Sequence, residues 1–135
     1  MKPELNNKQF AIETASDFMH SANDYSIETA SKLIKAIYKN LGYSIAGFEE
    51  KISSVIVDAA IFALSKKAES EGCNGDDYFQ GVLGFDTSGR STRDLTISIS
   101  KDKKIAERSF DAGRRFVEKE NYNWCEQVNK LPRSI

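Results

Sequence analysis

Ile52-Ser-Ser-Val-Ile-Val-Asp-Ala-Ala-Ile-Phe-Ala-Leu64 is the most apolar run in the chain, and its reading decides the fold. Wound at about 100° per residue, Ile52, Val55, Ile56, Val57, Ala59 to Leu64 cover most of a helix surface. Lys51, Ser54, Asp58, Ser65 and Glu69 fall three, four or seven residues apart on one narrow polar seam. A helix apolar on nearly all sides is a core helix or a membrane span. A span needs about 20 consecutive apolar residues, and here Asp58 interrupts the run and Lys66 and Lys67 follow it. The stretch therefore reads as a buried central helix over about 48–71. Glu49 and Glu50 suit its N-terminal end, Lys66 and Lys67 its C-terminal end, and Gly72 its left-handed stop.

Working outward, the preceding residues predict two further helices. Asn6 or Asn7 is a candidate cap for a helix reaching about Ala22 after a loose lead-in over residues 1–6. Phe10, Ala11, Thr14, Ala15, Phe18, Met19 and Ala22 form its inner stripe. Ser26 caps a second helix over 27–41, with Gly42 as its stop. Ala30, Leu33, Ile34, Ile37, Tyr38 and Leu41 form its inner stripe.

After Gly72 the pattern changes. Gly72 to Asp77 reads as a turn cluster, and Gly81 and Gly84 argue against a helix between Phe79 and Asp86. Asp94-Leu-Thr-Ile-Ser-Ile-Ser100 alternates apolar and hydroxyl residues, the period of a half-buried strand. Leu95, Ile97 and Ile99 are then expected inside and Thr96, Ser98 and Ser100 outside. Together the two segments predict a β-hairpin over about 79–100. Residues 102–120 predict an amphipathic helix whose inner face includes Ile105, Ala106, Ser109, Phe110, Gly113, Phe116 and Val117. Gly113 sits where a neighbouring backbone can approach closely. A short terminal helix over 121–130 ends before Pro132. The expected fold class is α+β, predominantly α: four to five helices packed around the central helix with one β-hairpin, in a single globular domain over 1–135.

Charge is unevenly distributed although the net charge is only −1. Residues 1–77 hold 8 Lys and no Arg against 12 acids, and residues 78–135 hold 5 Lys and 6 Arg against 8 acids. Arginine is the better residue for bidentate pairing with carboxylate or phosphate, so the second half is the expected contact region. Cys73 and Cys125 show no spacing for a disulfide framework or a zinc site, and both read as thiols in a reducing compartment. The N-terminal residues carry no apolar signal run, and a cytoplasmic location is expected. With His20 alone, no multi-histidine metal site can form.

No motif fixes a reaction. Asp58 invites a role as a raised-pKa general acid or base, but a second titratable partner is not evident and a place on the polar seam suffices to explain it. Asp86-Thr-Ser-Gly89 supplies one aspartate where paired-carboxylate chemistry needs two. Asn74, Asp76, Asp77 and Asp86 lack the alternating register of a calcium loop. No phosphate-binding glycine loop is present. The expected function is a small non-catalytic protein-binding module of inhibitor, immunity or adaptor type, with no cofactor, no metal and no membrane partner. Its expected contacts are Asp86, Arg90, Arg93 and Asp94 in the hairpin, with Tyr122 and Trp124 as aromatic anchors. Two alternatives stand beside it: nucleic-acid binding through Arg108, Arg114 and Arg115, and an enzyme with a dispersed site near Asp58.

Overall fold

The computed structural model describes residues 3–43, 49–84 and 92–131, with side chains described for 7–43, 52–84 and 93–131. Among these residues all regular structure is helical: α1 (Pro3–Ser21), α2 (Ile27–Asn40), α3 (Glu49–Ser70), α4 (Gly75–Leu83), α5 (Thr92–Ile99), α6 (Lys103–Glu120) and α7 (Trp124–Asn129). The expected β-hairpin over 79–100 is therefore overturned, and with it the α+β class; the described residues contain no strand. The chain forms two compact units, Met1–Ala63 with Cys125–Ile135 and Leu64–Trp124, whose boundary falls inside α3.

A helix is present where the central one was expected, as α3, ended at Gly72 with a φ of +72°. Ile52, Val55, Ile56, Ala59, Ala60, Ala63, Leu64 and Ala68 are buried, while Ser54, Phe62 and Glu69 face out. The polar seam is thus wider than the residue types suggest, because Phe62 lies beside Asp58 and Ser65 on the helical wheel.

In the first unit α1 packs against α2. It begins at Pro3 rather than behind an Asn6 or Asn7 cap; proline's fixed φ suits the first helical position, where its missing N–H is no loss. Ala11, Ile12, Ala15, Ser16 and Met19 are buried, whereas Phe10 and Phe18 are 51% and 62% exposed. The small residues set the inner face, and the two phenylalanines expected there lie on the outside. The cap of α2 is as expected, with the Ser26 hydroxyl accepting the Thr29 N–H at 3.2 Å. Asp24 reinforces it by accepting from the Ser26 N–H at 3.1 Å and the Thr29 hydroxyl at 2.5 Å. Partial burial pushes the Asp24 carboxyl up, but those bonds and the Lys32 charge outweigh it and hold the group below its ordinary value. The Gln127 side chain of α7 accepts the Ile27 N–H at 3.0 Å, satisfying a donor that the first turn of α2 leaves open.

The second unit is built on α4 and α6. Asn74 caps α4 by accepting the Asp77 N–H at 3.1 Å, and its own N–H donates to the buried Ser109 hydroxyl of α6 at 2.7 Å. Gly81 lies in the last turn of α4, costing up to roughly 1 kcal/mol in helix propensity. What offsets this is proximity: a Cβ on Gly81 would meet the Phe110 carbonyl of α6, and one on Gly113 the Tyr78 carbonyl of α4. The close approach expected at Gly113 is thus present, with α4 as the neighbour. Gly84, at a φ of +88°, ends α4.

Asp102 caps α6 by accepting the Ile105 N–H at 3.1 Å, and left-handed Asn121 ends it. Ala106, Ser109, Phe110, Ala112, Gly113 and Phe116 form the buried face. The Phe116 ring lies 6.3 Å from that of Tyr78 and 5.0 Å from that of Tyr122, with the Lys67 ammonium 5.6 Å from its centroid.

Candidate functional site

The segment read as a strand decides where a binding face lies. Wound as α5, Leu95 and Ile99 are separated by one turn and share a side, while Ile97 falls on the other. Leu95 is 61% and Ile99 76% exposed, Ile97 is half-buried, and Thr96 is 6% exposed. The expected sides are therefore exchanged at Leu95, Thr96 and Ile99, whereas Ser98 is exposed as expected.

Tertiary contacts hold α5 in this orientation. The Arg93 Nε donates to Asp111 Oδ1 at 2.8 Å and its Nη2 to Oδ2 at 3.1 Å, a bidentate clasp onto α6. Glu107 adds an ion pair at 3.3 Å. The clasp outweighs partial burial to hold the Asp111 carboxyl below its ordinary value and raises Arg93 above its own. At the other end, the Lys103 ammonium donates to the Ser98 and Ser100 carbonyls at 3.2 and 3.4 Å, a cation at a helix C-terminus. The α5–α6 corner thus presents Leu95, Ile99 and the partly exposed Ile105 beside exposed Lys101, Lys103 and Lys104.

The remaining candidate residues fall as follows. Asp86 and Arg90 lie outside the described residues. Asp94 is exposed at the first turn of α5, whereas Arg93 is engaged by Asp111. Tyr122 is buried against Phe116, and Trp124 packs edge-on against Phe79 with 5.0 Å between ring centroids. These two aromatics are engaged within the second unit rather than standing outward together. Arg108 donates to the Gly72 carbonyl and Arg114 to that of Gly81 at 3.3 Å, while Arg115 is exposed. Asp58 is half-buried on α3.

A second face lies on the outside of α1. Thr14, Asp17, Phe18 and Ser21 line an open cavity of about 230 Å³ there. Phe10 continues the apolar surface, and exposed Glu13 and Asp17 border it. The spacing of Phe10, Thr14 and Phe18, each four residues from the next, was the available signal for a shared outer stripe.

Among the described residues no group of three or more His, Cys, Asp or Glu side chains is placed to hold a metal ion. No described helix is long and apolar enough to cross a membrane. Comparison of the chain with protein-family models, curated proteins and solved structures finds no match.

Proposed function

We propose that the protein is a non-catalytic module that acts by binding another polypeptide chain, with the outward side of α5 as its contact. The observation that carries this reading is the exposure of Leu95 and Ile99, one turn apart on a short helix, while Thr96 is buried. Single exposed aliphatic residues are ordinary on protein surfaces, but contiguous ones mark places where another surface docks. The contact expected of Arg93 gives way to this pair, since Arg93 serves to fasten α5. Inhibitor, immunity-type and adaptor proteins are the classes that such a module serves. A cytoplasmic setting belongs to the same proposal, because two free thiols suit a reducing compartment.

The test places a photo-crosslinking amino acid at exposed Ser98 of α5, and separately at Glu118 on the exposed side of α6, in the native cell. The expected result is a discrete protein adduct from position 98 that is absent from position 118 and is lost when Leu95→Ser and Ile99→Ser are combined. Identical adducts from both positions, or none from position 98, would sink the reading.

A further inference from the structure

We infer that the Asn74–Gly75 junction is a modification site: the asparagine deamidates through a cyclic imide when the first turn of α4 opens, and the folded chain holds the reaction off.

The chemistry sets where such a site can lie. The backbone nitrogen of the following residue attacks the asparagine Cγ. A C–N bond forms, the Cγ–Nδ2 bond breaks, and ammonia leaves with the proton of the attacking N–H. Water then opens the five-membered imide at either carbonyl, giving aspartate or isoaspartate. A side chain on the following residue crowds this ring closure, and glycine has none. Asn74 is the one asparagine in the chain that a glycine follows. Gly75 is also the first residue of α4, so its N–H, the attacking group, is among those with no acceptor inside the helix.

The folded backbone opposes closure. Asn74 is extended, with a ψ of 129°. To close the ring, the Gly75 nitrogen must eclipse the Asn74 Cβ, which in an L residue lies in the negative half of ψ. Contacts within the second unit keep that bond from turning. The Asn74 side chain accepts the Asp77 N–H at 3.1 Å, its carbonyl accepts the Tyr78 N–H at 3.0 Å, and its N–H donates to the Ser109 hydroxyl at 2.7 Å. Gly75 itself packs on Ser65 of α3, whose hydroxyl oxygen would lie 3.0 Å from an added Cβ. Closure therefore waits for a local opening, and its rate is the chemical rate multiplied by the fraction of time open. The Tyr78 amide reports the same opening, because its acceptor is the Asn74 carbonyl. The two products then differ. Aspartate keeps an acceptor for the Asp77 N–H and suits a helix N-terminus. Isoaspartate routes the chain through Cβ and inserts a methylene between the N–H held by Ser109 and the glycine packed on Ser65. The first turn of α4 cannot then regain both contacts, so opening leaves a lasting mark on the molecules that react.

Peptide mapping of the full chain by mass spectrometry tests this, with isoaspartate read by enzymatic methylation of its free carboxylate. The amide-to-acid change at Asn74 is expected to be slow in native buffer and to quicken at least about tenfold in urea that unfolds the protein. Asn40, which Leu41 follows, is expected to change little in either. In urea below the unfolding transition, deamidation of Asn74 and hydrogen exchange of the Tyr78 amide are expected to rise together. Ser109→Ala removes the acceptor of the Asn74 N–H and is expected to raise both in native buffer, with circular dichroism verifying that it stays helical. Asn74→Ser keeps a capping hydroxyl and shows no acid at this position. Separated isoaspartate chains returned to native buffer leave the Tyr78 amide unprotected, whereas aspartate chains protect it.

An unfolded chain that gains no acid at Asn74 overturns the modification. Equal rates in native buffer and in unfolding urea overturn its control by the fold. Tyr78 exchange that rises, below the transition or in Ser109→Ala, with no rise in deamidation does the same. Isoaspartate chains that protect the Tyr78 amide overturn the lasting mark.

Discussion

Gly113 of α6 faces the Tyr78 carbonyl of α4 so closely that a Cβ added to the glycine would fall within 3.0 Å of that oxygen. Gly81 stands in the same relation to the Phe110 carbonyl on the opposite helix. The two helices thus meet backbone to backbone at reciprocal notches.

Gly113→Ala and Gly81→Ala are each expected to destabilise the fold by about 1–3 kcal/mol through overpacking. Alanine favours a helix over glycine by roughly 1 kcal/mol, so the sign of the change is diagnostic. Urea unfolding that shows either variant more stable would refute the close approach. The double variant falls short of the sum, since both notches belong to one contact.

The Arg93–Asp111 clasp sets an acid dependence. The Asp111 carboxyl is held below its ordinary value in the folded protein. Its stabilisation is therefore present above the unfolded value of about 3.9 and is lost as pH falls through the lower folded value. Both side chains are partly exposed, and solvent screening limits the loss in Arg93→Ala to about 1 kcal/mol or less. Unfolding measured from pH 6 downward is expected to show an acid-sensitive contribution that Asp111→Asn removes, and hydrogen exchange is expected to quicken in α5 in both variants.

Gln127 closes the first turn of α2 from the far end of the chain. Gln127→Ala leaves the Ile27 N–H without that acceptor and is expected to cost about 1 kcal/mol. Faster exchange of the Ile27 amide, with the other α2 amides protected as before, is the specific signature. Ser26→Ala removes the neighbouring cap and costs a similar amount, about 1 kcal/mol.

Position 96 separates the helical from the extended reading of residues 92–99. Thr96→Lys introduces a charge at a buried site and is expected to destabilise by more than about 2 kcal/mol. Leu95→Ser and Ile99→Ser lie on the outside and are expected to stay within about 0.5 kcal/mol of the unaltered protein. Denaturant titration of the three variants gives the opposite order if the segment is a strand.

Helices with a wide apolar face and clear punctuation were legible in the sequence. The Ser26 cap, the stops at Gly42 and Gly72, and α3 and α6 all follow from local chemistry, which the residues carry with them. Apart from the close approach at Gly113, what the sequence did not disclose depends on a neighbour. Gly81 argued against a helix because its compensation lies on α6, at the Phe110 carbonyl. The alternation at Leu95, Ile97 and Ile99 suggested a strand because the Arg93 clasp and the Lys103 bonds to the end of α5 connect residues that no periodicity links. In α1 the error was one of rotation: Phe10 and Phe18 are the most apolar side chains, but the small residues at Ala11, Ala15 and Ser16 give the flatter packing surface. The candidate site shifted for the same reasons. Arg93, Tyr122 and Trp124 look like contact residues when isolated and are engaged within the second unit.

The orientation of α5 has a consequence for the protein's failure. Eight residues are too few for a helix to persist in water without tertiary support, and Leu-Thr-Ile-Ser-Ile, residues 95–99, is uncharged, free of proline and glycine and rich in β-branched side chains. Released from α6, this segment has the composition of a strand that stacks with copies of itself into cross-β fibrils. Arg93 and Asp94 before it and Lys101, Lys103 and Lys104 after it are placed as charged gatekeepers against that outcome. Acid that loosens the clasp leaves the cations in place, so fibril formation is governed by whether their mutual repulsion persists, and added salt rather than acid alone becomes its trigger.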